Sequence, residues 1–408
     1  MNRRALLKTG GLALAGFGLP ACRTTTSLTP VVPRHAPLRL APVHVSFDRV
    51  VRTTVGLRPH RDGGFVLKVE KVGAKTIVHN YGHGGAGMSL AWGLGVAVAE
   101  FAQRTGEKKI ALLGAGSPGL TSARQLQRRG YDVTVYAATV PPDTTSNMSM
   151  AGFTPTTALI NNSRRTPEWD AQFLRAAEIS YRELQLLVGR DYGVYWIDTY
   201  NATDDPNRQG GGGGGRGGAE GNGEDRAAGD ADLVPEYLRP NRVREIYGPG
   251  EHPFPSKYAV RSIALAIEPN KYMDALVRDF VMFGGKIVIR KFDTPNDLSS
   301  VPEPVIVNCT GLGSATLFGD TELVPIKGQL TVIAPQPEVN YRASGRLAGA
   351  ETGASINPRS DGITVGNLMV RGDSSLTPDP EVIRRNVQAA IDFFSLMRGQ
   401  PGLQPSSV

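Results

Sequence analysis

A short apolar run from Lys108 to Leu113 leads directly into Gly114-Ala115-Gly116-Ser117-Pro118-Gly119. A helical pattern then continues through Arg128, and Asp132 to Tyr136 reads as the next strand. Strand, glycine turn, helix and strand within about 30 residues make a βαβ unit suited to a dinucleotide. Gly114 allows the tight turn, Gly116 lets main chain approach a pyrophosphate, and Gly119 lets the helix pack against the strand. With Ala115 they are the candidate cofactor residues of this turn. The phosphates are expected at the helix N-terminus, where unpaired N–H groups and the dipole favour negative charge. One part is missing. The second strand ends Val135-Tyr136-Ala137-Ala138-Thr139, without an acid to take a ribose hydroxyl.

The 408 residues suffice for two domains around one cofactor. The net charge of +7 comes from dispersed Lys and Arg residues, which argues against a nucleic-acid partner. The two cysteines, Cys22 and Cys309, have neither CxxC nor Cys/His spacing, so no disulfide framework and no metal site is expected. Asn2-Arg3-Arg4-Ala5-Leu6-Leu7-Lys8 looks like a twin-arginine export motif, and the apolar run from Gly10 to Ala21 is too short for a membrane span. Leu19-Pro20-Ala21-Cys22 resembles a lipobox, which makes Cys22 a candidate lipid anchor. An exported, periplasmic protein is the expectation.

Further strands are expected at Val43 to Val55, Val66 to Glu70, Thr76 to Val78, Tyr258 to Ile267, Gly285 to Phe292, Val305 to Val307, Leu323 to Ile333, Ala354 to Asn357 and Ile363 to Leu368. Helices are expected at Ser89 to Gln103, 165–189, Lys271 to Phe283 and Pro380 to Met397. The glycine-rich stretch 209–232 reads as a flexible surface insertion.

His79-Asn80-Tyr81-Gly82-His83-Gly84-Gly85-Ala86-Gly87-Met88-Ser89 resembles the flavin-cradling signature of the D-amino-acid oxidase family. In that family the signature follows the dinucleotide turn. Here it precedes it, so the chain resembles a circularly permuted member. The resemblance implies an FAD cofactor, with Gly84, Gly85, Gly87, Met88 and Ser89 offering amides to the flavin carbonyl. Thr144 and Thr145, in Thr144-Thr145-Ser146, match the family's flavin-contacting loop. Gly56-Leu57-Arg58-Pro59-His60-Arg61 resembles the family's GxRPxR, which gives Arg58 the role of holding the substrate carboxylate. A guanidinium suits a planar carboxylate. Classical members carry two tyrosines where this chain has Glu351 and Ser355, and Ser355 stands in the position beside the arginine.

The implied fold is α/β: a Rossmann-like FAD-binding domain plus a mixed or antiparallel-sheet substrate domain, in permuted order. The expected division is signal peptide 1–22, linker 23–42, substrate-domain strands 43–78 and FAD-binding core 79–160. Then come a helix and insertion over 161–257, more FAD-binding domain at 258–320, substrate domain at 321–397 and a tail at 398–408. The implied activity is oxidative deamination. Hydride passes from the substrate α-carbon to flavin N5, giving imino and then keto acid, ammonia and hydrogen peroxide. His79 and His83 are read as orienting the loop, and Cys309 as a small buried side chain. Two rival readings are a periplasmic amine or imino-acid dehydrogenase donating to a quinone or carrier, and a non-catalytic flavin-binding envelope protein. The oligomeric state is left open.

Overall fold

The computed structural model describes residues 36–207, 233–239 and 244–398. The twin-arginine segment, Cys22, the whole glycine-rich stretch 209–232 and the tail beyond residue 398 lie outside the described residues.

One six-stranded sheet contains the dinucleotide unit. It comprises β2 (Val66–Val72), β3 (Lys75–Tyr81), β4 (Lys109–Leu113), β5 (Asp132–Ala137), β9 (Lys286–Ile289) and β10 (Val305–Asn308). Their spatial order is β2-β3-β10-β4-β5-β9, parallel throughout except for the antiparallel β2–β3 pair. Parallel sheets are covered on both faces, and β4 and β10 accordingly carry the buried apolar runs Ile110–Leu113 and Val305–Val307. Helices α1 (Gly87–Gln103), α2 (Ser117–Gln127) and α3 (Pro167–Leu186) pack together beside it, with α1 in the middle. Leu90, Leu94 and Val98 form the buried stripe of α1. The α1–α3 crossing is tight, because a Cβ on Gly93 would lie 2.1 Å from the Ala176 carbonyl oxygen. The N-cap Thr166 side chain accepts from the Trp169 amide, and Pro167 fills the first helical position of α3.

The second sheet has eight strands: β1 (Val50–Arg61), β6 (Val194–Thr203), β7 (Glu245–Tyr247), β8 (Tyr258–Ile267), β11 (Leu323–Ile333), β12 (Tyr341–Gly345), β13 (Ala354–Arg359) and β14 (Gly362–Arg371). Their order is β1-β11-β14-β13-β12-β6-β8-β7, antiparallel except between β6 and β12. Helix α4 (Pro269–Met282) packs on α2, α5 (Ser314–Phe318) follows β10, and α6 (Pro380–Phe394) covers β13 and β14. The face under α6 is a continuous apolar core of Tyr200, Tyr341, Ala343, Ile356, Ile363, Val365, Ala390 and Phe393. Because side chains alternate along a strand, Arg342, Ser355, Asn357 and Arg359 belong to the opposite face.

Three expectations are corrected here. Residues 66–78, assigned to the substrate-domain strands, pair instead into the dinucleotide sheet, since β3 supplies a parallel edge for β10. Tyr258 to Ile267, assigned to the FAD-binding domain, is β8 of the eight-stranded sheet. The segment carrying Arg58 is a strand running to Arg61, with Arg58 opposite Ile326, and the strand starts at Val50 rather than Val43. Sequence pattern alone does not reveal β6 or β12.

Candidate active site

At the C-terminal ends of the parallel strands, the chain order reverses between β4 and β10, where a crevice opens in this class of sheet. Gly114 follows β4 with φ +103, a conformation few residues besides glycine adopt, and its Cβ would lie 2.5 Å from the Cys309 carbonyl oxygen beyond β10. Gly119 brings α2 onto the turn, since its Cβ would lie 2.0 Å from the Gly114 carbonyl oxygen. Gly116 is different: only the Ser146 hydroxyl and Pro118 come near its Cβ position, so its backbone faces open space. The Ser146 hydroxyl accepts from the Ser117 amide at 2.9 Å, which ties the Thr144-Thr145-Ser146 loop to the start of α2. Thr144 donates to the Asn147 side chain at 2.7 Å, so its hydroxyl fastens that loop.

The Gly84–Ser89 turn meets the same place. A Cβ on Gly87 would lie 3.7 Å from Pro118 Cγ, so the N-termini of α1 and α2 converge. The expectation that all five residues offer free amides is corrected in part. The Gly84 amide donates to Pro59 O and the Gly85 amide to Thr157 O, both at 2.9 Å, while Ser89 N donates to Ala86 O. Gly87 and Met88 are the first two helical residues, whose amides have no intrahelical acceptor. They remain as donors. Ser89 acts through its hydroxyl, which donates to Gly152 O at 2.9 Å and accepts from Thr154 N at 2.8 Å. Two convergent helix ends, an open main-chain stretch at Gly116 and two donor amides fit a dinucleotide with an electron-rich ring carbonyl.

His83 is buried, shares a hydrogen bond with Asn80 and is pushed down to about 3 by burial. His79 is likewise lowered by burial and lies 3.1 Å from the Asn308 amide nitrogen. Both rings are therefore neutral struts of the turn. Burial pushes the Cys309 thiol up to about 12, which leaves it unreactive at neutral pH. Among the described residues, no group of acids, histidines and cysteines could hold a metal.

Arg58 lies beside the turn, its Cδ 3.3 Å from the Cβ position of Gly85. Its guanidinium lies over Gly328 of β11, where a Cβ would come within 2.1 Å of Nη1. Nη1 is buried without a hydrogen-bond partner, and burial lowers the side chain to about 10, so it stays cationic at neutral pH. A buried cation with an unused donor is costly unless an anion meets it. Ser355 stands on β13, with β11 and β14 between it and β1. A tyrosine could extend across part of that distance, whereas a serine hydroxyl is too short to complete a clamp around a carboxylate at Arg58. Two residues on this face escaped sequence reasoning, Arg342 on β12 and Asn357 on β13. The signal was the alternation of buried Tyr341 and Ala343 with Arg342 and Ser344, too short a run to register as a strand.

The family model described as FAD dependent oxidoreductase (DAO) matches residues 29–101 and 109–405. The D-amino acid oxidase of Dugesia ryukyuensis is 23% identical over 265 residues, covering 63% of this chain and 68% of the relative. A D-aspartate oxidase of Homo sapiens is 38% identical over 78 residues, 19% of this chain and 21% of that protein. The crystal structure of glycine oxidase from Geobacillus kaustophilus superposes with a TM-score of 0.47 at 16% identity, covering 70% of this chain and 78% of the other. The chain belongs to the DAO family of FAD-dependent oxidoreductases, and FAD is its cofactor.

Proposed function

We propose that this protein oxidatively deaminates amino acids. The observation that carries the reading is the buried, unpartnered Nη1 of Arg58 beside the Gly84–Ser89 turn. Arg58 holds the substrate carboxylate, which fixes the α-carbon relative to the cofactor and replaces a diffusive encounter by a fixed approach. FAD, when bound, supplies an acceptor for the α-hydrogen with both its electrons. The Gly87 and Met88 amides and the positive ends of α1 and α2 stabilise the charge that this places on the cofactor side. No protein base is required, in keeping with the neutral, structural roles of His79 and His83. The overall reaction takes amino acid, water and oxygen to keto acid, ammonia and hydrogen peroxide.

The chain is also, in this reading, circularly permuted. β3 stands beyond β10 in the sheet yet precedes the βαβ unit in sequence, and the family match falls into two stretches parted at 102–108. The Arg3-Arg4 motif and Leu19-to-Cys22 further suggest export with a lipid at Cys22. Blocking export by converting Arg3 and Arg4 to Lys, followed by cell fractionation, tests that part.

Anaerobic bleaching of the 450-nm-region flavin band by a panel of D- and L-amino acids tests the reaction. Peroxide yield in air then separates oxygen from a quinone or protein carrier as acceptor. If no amino acid reduces the flavin, the reading fails.

A further inference from the structure

Arg342 projects from β12 on the face away from the α6 core and is half-buried there. Nε donates to Asn357 Oδ1 at 2.5 Å and Nη2 to the Ala151 carbonyl at 3.3 Å. Neither partner carries charge. Arg58 apart, three other arginines of this sheet have a carboxylate: Arg61 with Asp320 at 2.8 Å, Arg261 with Asp198 at 2.9 Å and Glu245 at 2.8 Å, and Arg359 with Asp361 at 3.0 Å. Among the described residues no acid forms an ion pair with Arg342. Its titratable neighbours are Tyr195, a neutral phenol whose hydroxyl donates to Pro358 O at 3.0 Å, and Arg359, a second cation; burial is the main cause that lowers Arg342, and Arg359 lowers it further. A guanidinium partly withdrawn from water without a counter-ion is a costly arrangement.

The place of this charge matters. A Cβ on Gly152 would lie 3.6 Å from Arg342 Nη1, and the Gly152 carbonyl accepts from Ser89, the last residue of the Gly84–Ser89 turn. Arg58 touches Gly85 at the other end of that same turn. Two arginines without carboxylate partners thus flank one turn, the one that receives the flavin in this reading. Arg342 Nη1 makes no hydrogen bond to Asn357 or Ala151, which leaves a donor edge for an anion. Asn357 holds the guanidinium by Nε, and its own Nδ2 is buried and unpartnered, a second donor on the same side chain.

We propose that Arg342, oriented by Asn357, is a second anion-binding residue of the active site and selects amino acids with a side-chain carboxylate. This rests on the amino-acid oxidase reading above and deepens it. Arg58 takes the α-carboxylate, Arg342 the distal one. Mutual charge neutralisation then pairs two cations that lack carboxylate partners with the two carboxylates of one substrate, and a neutral side chain would leave Arg342 uncompensated.

The test uses the intact flavoprotein. D-aspartate and D-glutamate are compared with D-alanine and D-norvaline by anaerobic flavin reduction. Separately, malonate and succinate are compared with acetate and butyrate as non-reacting ligands, read by perturbation of the flavin spectrum. Acidic substrates are expected to exceed neutral ones at least 100-fold in reduction rate at low concentration, and dicarboxylates to bind at least tenfold more tightly than monocarboxylates. Arg342→Met should abolish both preferences while the flavin band persists, and Arg342→Lys should keep part of each. Should wild type reduce with neutral amino acids as well as or better than with acidic ones, the selection by Arg342 is wrong while the oxidase reading stands. If no amino acid of either kind reduces the flavin, the oxidase reading itself has failed. Were Arg342→Met to misfold, the wild-type comparisons of substrates and of ligands still decide the matter.

Discussion

The two sheets present different parts of the chain to the candidate site. The parallel sheet presents main chain: the Gly114–Gly119 turn, the Gly87 and Met88 amides and two helix ends. The antiparallel sheet presents side chains: Arg58, Arg342 and Asn357 on one face, with its other face sealed under α6. Main-chain recognition depends on backbone path, so side-chain exchange there is tolerated unless a Cβ collides. Side-chain recognition changes with a single residue. A chain can therefore keep its glycine turns while side chains on the other sheet change, as at Glu351 and Ser355, where the resemblance expects tyrosines.

That contrast can be broken or sharpened by experiment. The largest expected effect lies behind the substrate face: Phe393→Ala removes a fully buried ring between α6 and the sheet and should cost about 3–5 kcal/mol in chemical denaturation. Michaelis constants of the surviving enzyme should barely move. On the cofactor side, Gly119→Ala drives a Cβ onto the Gly114 carbonyl and should cost about 3 kcal/mol, with loss of the yellow chromophore on purification. Retention of full flavin content would mean that the turn tolerates a displaced α2. Arg58→Ala should lower kcat/KM for amino acids about 100-fold, or about 2.7 kcal/mol, with flavin content unchanged. Loss of colour instead would give Arg58 to the cofactor side.

Acidification acts on the turn itself. His83 is held neutral with its titration pushed down to about 3, whereas unfolded histidine titrates near 6.5. Above about pH 6.5 both states are neutral and nothing changes. Between there and pH 3 only the unfolded chain takes the proton, so stability falls by up to about 1.4 kcal/mol per pH unit from this group. Denaturation midpoints of the wild type and His83→Asn across pH 4–7 measure it, the variant having the shallower slope. The smallest effect is reserved for Met88→Leu, a volume-conserving change at a residue whose contribution is its amide. Flavin content and kcat/KM should stay within about twofold.

The parallel half of the molecule was legible because its strands are buried on both faces and its glycines have fixed spacing. β4, β5, β10, α1 and α2 all stand close to where pattern alone puts them. The antiparallel half was harder to read. β12 is five residues long with an arginine at its second position, because one face is core and the other is site. Sheet membership is also not a local property: β3 and β4 are consecutive strands in the chain, yet β10 lies between them. Arg58 was named from its neighbours in sequence, while its Gly328 shelf and open Nη1 depend on a strand some 270 residues away. Arg342 had no such motif around it.

The late arrival of β10 has a consequence during synthesis. Residues 305–308 must leave the ribosome before the six-stranded sheet has a centre, and β14, ending at residue 371, before β11 and β13 are joined. A nascent chain of this protein thus spends most of translation with both sheets open and their edges unmatched. Chaperones that shield such edges have their longest task here in the first three hundred residues, and truncated products should be cleared rather than accumulate as half-folded species.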